Sequence, residues 1–278
     1  MGEVWRLLLD PLQHTFMVRG LIAAVMAGGL CALVGTYVVL RGMAFFGDAL
    51  AHSILPGLAL GYLLGGGSRD ALFWWGLGTA ILAALGIGAL SRGQQLKEDT
   101  AIGVLFAGAM ALGVVLISTS RSYAVDLTHL LFGDVLGVGD RDLLRLTIFA
   151  GIVAAAVVFF YKEFLVISFD PVLAITLRLP TRLFENLLRI LIAITVVVAL
   201  QTVGVALMVA MLVTPAATAY LLTHRLPAMM ALSVLLAALS AVVGLYASYY
   251  AGVASGAAIV LIATVLFLIV RWIRKAPS

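Results

Sequence analysis

Long apolar runs separated by short polar segments dominate the sequence. A bilayer crossing takes about 20 mostly apolar residues. The runs of this length are residues 17–40, 71–91, 101–120, 143–161, 186–203, 228–250 and 256–273. Two further windows, 47–66 and 205–223, are apolar but are interrupted by polar residues or proline. The pattern predicts an all-α integral membrane protein with eight to nine transmembrane helices, organised as a single domain over residues 1–278.

The segments between these runs form the expected surface. Residues 1–16 are mixed and amphipathic, and 125–139 is apolar but too short to span a bilayer. We interpret 125–139 as a re-entrant or half-spanning piece packed against protein, because irregular backbone at membrane depth needs such cover. Lysine and arginine are concentrated in connecting segments, which the positive-inside bias places in the cytoplasm. These basic segments are 92–99, 178–182, 223–225 and 271–275.

Composition supports a membrane protein and excludes several other classes. The chain is 64% hydrophobic and 11% charged, whereas soluble domains average about 45–50% apolar and about 25% charged residues. Its net charge of +4 comes from the connecting segments and does not alternate with aromatic residues, so we expect no nucleic-acid partner. Cys31 is the only cysteine, which rules out both a disulfide framework and a thiolate cluster for zinc.

Sequence motifs for catalysis are missing. None of the three lysines follows the glycine pattern of a P-loop, so the chain cannot hydrolyse ATP by that mechanism. Neither the H-E-x-x-H zinc motif nor the G-x-S-x-G nucleophile motif occurs. The chain is therefore not expected to be an enzyme by itself.

Asp48 and His52 lie inside the apolar window 47–66 and are four residues apart, so on a helix they share one face. A carboxylate and an imidazole together suit manganese, zinc or iron(II). Charged groups at membrane depth are costly and commonly face a cavity or an ion pathway. Alternatively, Asp48 caps the start of a helix and His52 donates to a nearby carbonyl. Two ligands do not fill a coordination sphere, so we expect a transient site completed by water, a second copy of the chain or a delivery protein.

Prolines mark two places where a spanning helix should be irregular. Pro56 and Gly57 should distort the helix that carries the acid and the histidine, and irregular backbone is tolerated where it lines a cavity. Thr214 and Pro215 interrupt a run of small and apolar residues. A proline there frees a backbone carbonyl and kinks the helix, which predicts either a gate or a static kink.

Glycines recur every four residues in two places. Gly57, Gly61 and Gly65 form one row, and Gly252 and Gly256 repeat the spacing. Such rows allow helix backbones to approach closely. Close helix packing is the expected role, with a hinge for gating as the alternative.

A second acid and imidazole, Asp126 and His129, stand three residues apart at a segment boundary that we place near the outer face. They form either an outer polar pair on the ion route or ordinary interfacial polarity, which costs little near the membrane surface.

The stretch 168–182 differs from the other connections. Asp170 followed by Pro171 is a helix start signal. A short amphipathic helix should follow, and Pro180 should end it. Such a cytoplasmic helix between two spans suits docking to a soluble partner, or it lies at the membrane interface.

Five blocks of the sequence resemble, in order, those of the metal-importing permease subunits of bacterial ABC transporters, the manganese, zinc and iron group called ABC-3. The blocks are VVLRGMAFFGDALAHSILPGLALGYLLG, KEDTAIGVLFAGAMALGVVLIS, HLLFGDVLGV, SFDPVLAITLRLP and LQTVGVALMVAMLVTPAATAYLL. The resemblance covers nearly the whole chain. It implies a multi-pass protein of the inner membrane with the type II importer architecture.

The resemblance also implies partners and roles. It implies a homodimer, two copies of a separate cytoplasmic ATPase that hydrolyses ATP, and an extracytoplasmic metal-binding protein that delivers the ion. Asp48 and His52 fall on the acid and histidine of the metal pathway. Within 168–182, the residues that fall on the coupling helix are Asp170, Pro171, Ala174 and Leu177.

The expected cargo is Mn²⁺ or Zn²⁺, with Fe²⁺ as a third candidate, and we expect no tightly bound cofactor. Two alternatives remain at this point. One is a siderophore or cobalamin permease, which would need a wider and less charged passage. The other is an ion-coupled secondary metal transporter, which would predict inverted repeats; no convincing repeat relates the two halves of the sequence.

Overall fold

The computed structural model describes residues 9–91, 97–119 and 135–275, and within these ranges every regular element is helical. Two short 3₁₀ turns, Pro11–Gln13 and Val135–Gly137, accompany the α-helices. The α-helices of the described residues are α1 Thr15–Leu40, α2 Phe46–Ser53, α3 Leu55–Gly65, α4 Arg69–Leu90, α5 Glu98–Ser118, α6 Asp140–Phe159, α7 Tyr161–Phe169, α8 Pro171–Thr176, α9 Thr181–Val203, α10 Val205–Leu222, α11 Leu226–Ala251 and α12 Ser255–Lys275.

Among the described residues, 8 helices are long and apolar enough to cross a membrane: α1, α4, α5, α6, α9, α10, α11 and α12. The all-α membrane architecture predicted from the sequence is therefore confirmed. Several of these helices start a little before the apolar run. In α5, for example, Glu98 and Asp99 form the first turn, where negative charge interacts favourably with the helix dipole.

Two compact units divide the described chain. The first contains residues 9–36, 135–151 and 198–275. In this unit α10, α11 and α12 pack against one another. Glycines allow two of its close approaches: a side chain at Gly244 would collide with Ile259 of α12, and one at Gly35 would collide with the Leu212 carbonyl of α10.

The second unit contains residues 37–91, 97–119 and 152–197. Here α3 packs against α4 and α5, and α2 packs against α5. The row of Gly57, Gly61 and Gly65 faces α4: a Cβ on Gly57 would overlap the Trp75 carbonyl, and one on Gly61 would lie 3.0 Å from the Ala71 carbonyl oxygen. Close packing of this row is therefore confirmed.

The second glycine row does not pack in this way, so that prediction was wrong. Gly252 has φ +65° and follows the end of α11, where its N–H donates to the Ser248 carbonyl. A Cβ on Gly252 would have no neighbour within 4 Å, and one on Gly256 would just touch Leu207 at 3.9 Å. Gly252 is needed for the left-handed backbone that terminates a helix, a role that spacing alone does not distinguish from packing.

Pro56 divides the predicted window 47–66 into two helices. Helix α2 ends at Ser53, α3 begins at Leu55, and Pro56 occupies the first turn of α3. Proline has no N–H to donate to the carbonyl four residues earlier, which belongs to His52. The expected distortion is confirmed, and it separates the turns that carry the acid and the histidine from the rest of the window.

Pro215 acts differently, because α10 continues through it. The proline is buried, and the Thr218 hydroxyl donates to the carbonyl of Thr214 at 2.7 Å. Thr214 and Pro215 therefore lie within a continuous helix, and their role as a gate or a static kink stays a prediction.

Candidate functional site

Helix α2 presents one polar face. Six of its eight residues are buried, and the Ser53 hydroxyl is satisfied by the Ala49 carbonyl at 2.7 Å. The two remaining side chains, Asp48 and His52, retain 32% and 29% of their exposure. The packing of α2 therefore turns both groups toward the same accessible side.

The carboxylate and the imidazole are close but are not hydrogen-bonded. His52 Nε2 lies 3.7 Å from Asp48 Oδ1, beyond the range of an N–H···O bond. The imidazole also makes an edge-on contact with the Phe106 ring of α5, with ring centroids 5.8 Å apart. Phe106 thus fixes the plane of the imidazole, while the oxygen and nitrogen lone pairs are not tied up in a short bond with each other.

The alternative in which Asp48 caps a helix is wrong. Helix α2 begins at Phe46, its N-cap residue is Phe45, and no side chain caps it. The helix starts before Asp48 because the turn after α1 is tight: the Phe46 N–H donates to the Met43 carbonyl at 2.9 Å. Asp48 is consequently the third residue of α2 and sits in its first turn.

Asp48 offers a carboxylate oxygen and His52 an imidazole nitrogen as ligands for a cation. No cluster of three or more histidine, cysteine, aspartate or glutamate side chains that could hold a metal occurs in the described part of the chain. Structural metal sites in proteins commonly use four protein ligands. The arrangement is suited to brief, exchangeable contact with a divalent ion and is unsuited to tight storage of it.

A second group of charges, which the sequence analysis missed, lies in the same unit. We call Arg41, Glu98, Glu185 and Arg189 the buried ion network, after its two largely buried arginines; the carboxylates of Glu98 and Glu185 keep 28% and 33% of their side-chain exposure. Arg189 contacts Glu98 at 3.1 Å and Glu185 at 3.7 Å, and Arg41 contacts Glu185 at 3.7 Å. These residues join the end of α1 to the starts of α5 and α9. The only sequence signal was the spacing of Glu185 and Arg189, four residues apart on one helix.

Burial sets the chemistry of this network. The Arg189 side chain is 5% exposed, and a Cβ on Gly88 of α4 would lie 2.8 Å from its Nη1 atom, so the guanidinium packs directly against the backbone of α4. Loss of solvent lowers the pKa of Arg41, and the carboxylates of Glu185 and Glu98 oppose that shift. Two cations and two carboxylates leave the network formally neutral, which is what burial of charge requires.

The region 168–182 contains the predicted short helix. The Asp170 carboxylate accepts a hydrogen bond from the Leu173 N–H at 2.9 Å, and Pro171 opens α8. Ala174 is fully buried, whereas Leu177 is 55% exposed. Apolar side chains dominate the exposed surface of this region, which includes Phe169, Val172, Leu173, Ile175 and Leu177.

Pro180 does not end α8, contrary to the prediction. The helix stops at Thr176, and Arg178 adopts a left-handed conformation with φ 55°. The Arg178 N–H donates to the Ile175 carbonyl and the Leu179 N–H to the Ala174 carbonyl, which is the Schellman arrangement.

Two predicted site residues, Asp126 and His129, lie outside the described residues. Their proposed role as an outer polar pair stays a prediction.

Comparison with known proteins gives consistent matches. The model of the ABC 3 transport family matches residues 13–274. The manganese transport system membrane protein MntC of Listeria monocytogenes is 46% identical over 164 residues, which are 59% of this chain and 56% of that protein. A probable iron transport system membrane protein of Haemophilus influenzae is 40% identical over 59% of each chain. The matches thus span less than two thirds of the length of these relatives.

A solved structure extends the similarity to nearly the full chain. PsaBC from Streptococcus pneumoniae, determined in complex with a Fab, superposes with a TM-score of 0.82 and 37% sequence identity, covering 96% of this chain and 95% of that chain. Together with the apolar helices, these matches confirm the prediction of a multi-pass protein of the bacterial inner membrane.

Proposed function

Because the chain belongs to the ABC 3 transport family, we propose that it is the permease subunit of an ATP-driven importer for divalent transition metal ions. Manganese is the preferred cargo in this proposal, with zinc and iron(II) as the other candidates. The permease works as a homodimer with two copies of a cytoplasmic ATPase, and an extracytoplasmic protein delivers the ion. The observation that carries the proposal is the acid–imidazole pair on the accessible side of α2.

The chemistry of this pair fits the cargo. Carboxylate oxygen suits manganese, and imidazole nitrogen suits zinc and iron, so a site with one of each accepts the first-row divalent ions. A passing ion must be bound strongly enough to enter and weakly enough to leave. Asp48 and His52 supply two ligands to the ion, and water or a second copy of the pair completes its coordination.

The energy for transport comes from the partner, because the sequence lacks a P-loop. Helix α8 and its neighbours offer the docking surface, since apolar side chains such as Val172 and Ile175 are 74% and 68% exposed. ATP binding by the partner displaces α8, and the permease switches between closed and open states of its ion route.

The test is metal uptake by cells that lack their own manganese and zinc importers and that express the permease with its ATPase. We expect wild-type protein to restore Mn²⁺ accumulation. Asp48→Asn and His52→Gln should each lower it by at least about tenfold, since even residues that only support metal ligands cost 10–100-fold when they are replaced.

Matched controls separate the pair from a general effect of losing an acid or a histidine. Asp99→Asn removes an exposed carboxylate in the first turn of α5, and His224→Ala removes an imidazole between α10 and α11; both should transport normally. Parallel assays with Zn²⁺ and Fe²⁺ rank the cargoes. Full Mn²⁺, Zn²⁺ and Fe²⁺ uptake by both pair variants would refute the role given to Asp48 and His52.

A further inference from the structure

The buried ion network takes no part in the proposed ion site, yet it connects the two regions that transport must coordinate. Glu185 lies in the first turns of α9, which follows α8 after a short turn. Arg41 lies at the end of α1, which α2 follows after another short turn. Arg41 Nη2 lies 3.7 Å from Glu185 Oε1. This contact therefore links α9, which follows the docking helix α8, to the turn that leads into α2, the helix that carries Asp48 and His52.

The turn on the α2 side has little freedom. Gly42 takes a left-handed conformation with φ +69°. Its N–H donates to the Val39 carbonyl at 3.1 Å, and the Met43 N–H donates to the Val38 carbonyl at 2.9 Å. This is a Schellman motif, and Met43 is buried. This hydrogen-bonded turn links Arg41 to the start of α2 without a long loop.

The turn on the α9 side is equally restrained. The Leu179 N–H donates to the Ala174 carbonyl at 3.1 Å, and the Thr181 N–H donates to the Leu179 carbonyl at 2.8 Å. Ala174 is fully buried, so α8 is anchored through it. Movement of α8 consequently reaches the first turns of α9 rather than being absorbed by a loose loop.

The contacts within the network leave hydrogen-bonding capacity unused. The contact of Arg189 with Glu98 is at hydrogen-bonding distance, 3.1 Å, whereas both contacts of Glu185 are 3.7 Å, which is too long for a hydrogen bond. Arg41 Nη1 and Arg189 Nε are buried and have no hydrogen-bond partner in the part of the chain that is described. Each arginine thus has a spare donor, and a small shift of α9 would change which carboxylate oxygen it binds.

We propose that the buried ion network transmits displacement of α8 to α2, through Glu185 and Arg41, and so couples the ATPase to the helix that carries Asp48 and His52. The inference rests on the proposed function. Arg41, Glu185 and Arg189 act on the ion only through α2, so they are positioning residues. Buried ion pairs contribute little net stability compared with apolar contacts of the same volume, and switching is among their better-attested uses.

The test uses the complete transporter, the permease with its ATPase, reconstituted in lipid vesicles. The quantity measured is the amount of Mn²⁺ taken up per ATP hydrolysed. Glu185→Gln keeps the shape of the side chain and removes its charge. We expect this ratio to fall by at least about fivefold, which is the fold-change that corresponds to the lower end of typical coupling free energies. ATP hydrolysis and subunit assembly should be retained. Glu185→Asp keeps the charge, so its uptake of Mn²⁺ per ATP hydrolysed should fall less than that of Glu185→Gln.

Gly88→Ala repeats the test without removing a charge. Its new Cβ would lie 2.8 Å from Arg189 Nη1 and displace the guanidinium. Gly78→Ala is the matched control on the same helix, because a Cβ there has no neighbour within 4 Å. We expect a lower uptake ratio for Gly88→Ala and a wild-type ratio for Gly78→Ala.

The outcomes are distinguishable. A wild-type ratio in both Glu185→Gln and Gly88→Ala overturns the inference. An equal loss of ATP hydrolysis and uptake overturns it as well, because the network would then only hold the fold together. If wild-type transporter shows no ATP-dependent uptake of Mn²⁺, Zn²⁺ or Fe²⁺, the proposed function fails and the inference fails with it.

Discussion

The acid–imidazole pair on α2 and the buried ion network lie in one structural unit but differ in how their polar groups are paired. Asp48 and His52 keep about a third of their side-chain exposure and contact each other loosely. Arg189 is almost fully buried and is held between two carboxylates. Buried charge must be neutralised by the protein itself, whereas an accessible acid and imidazole remain available to a passing cation. Under the proposed roles, the comparison separates an acid–imidazole pair that is left available to a cation from charges that are paired with one another around buried arginines.

The sharpest test of this comparison is removal of the central arginine. Arg189→Met leaves Glu98 without the arginine that binds it and Glu185 with Arg41 alone, and loss of one partner of a buried ion pair typically costs about 3–5 kcal/mol. Since both carboxylates are partly exposed, we expect the lower end, about 3 kcal/mol, measured as reduced thermal or denaturant stability in detergent. Arg182→Met, an exposed arginine on the same helix, should change stability little. A loss no larger than that control would contradict the structural role of the network.

A smaller effect should follow from crowding the junction between α2 and α3. A Cβ on Gly113 would lie 2.6 Å from the Leu55 Cβ and 3.1 Å from the Pro56 nitrogen. Overpacking of this kind costs about 1–3 kcal/mol, so Gly113→Ala should lower the melting temperature and reduce uptake by moving α2. Gly108→Ala, with nothing within 4 Å on the same helix, should leave both unchanged. Normal uptake by Gly113→Ala would mean that the position of α2 matters less than proposed.

The smallest change in stability should come from altering Asp48 in the acid–imidazole pair. Even an exposed ion pair contributes only about 0–1 kcal/mol, and the contact between Asp48 and His52 is partly exposed and longer than a hydrogen bond. Asp48→Asn should therefore alter stability by less than about 1 kcal/mol in the same melting experiment, although uptake is lost. If it destabilised the protein as much as Arg189→Met, Asp48 would be an architectural charge and the distinction between the two regions would fail.

The sequence predicted the long helices well because a bilayer imposes a minimum apolar length on each of them. It also predicted that Asp48 and His52 lie side by side, since they share one face of a single helix and their spacing is visible in one segment. The break at Pro56 followed from the chemistry of proline. The features that could be predicted from the sequence are therefore those that depend on local spacing and on the membrane as solvent.

Features that depend on contact between distant segments escaped prediction. Glu98 and Arg189 are 91 positions apart, and nothing in their local sequences indicates that they meet. The alternative that made Asp48 a helix cap failed because the turn at Gly42, which is stabilised by bonds back to α1, does not have a distinctive spacing. Gly252 was assigned to helix packing because a glycine that ends a helix and a glycine that packs against one have the same spacing pattern.

The shortness of α2 has a consequence for how metal preference could be altered. Six buried residues hold this two-turn helix in place, and the two remaining side chains, Asp48 and His52, are partly exposed. Exchanging the imidazole for a thiolate would favour softer ions, and exchanging it for a second carboxylate would favour harder ones. If Asp48 and His52 contact the ion as proposed, we expect single substitutions at these two positions to shift ion selectivity while the six buried residues keep α2 in place.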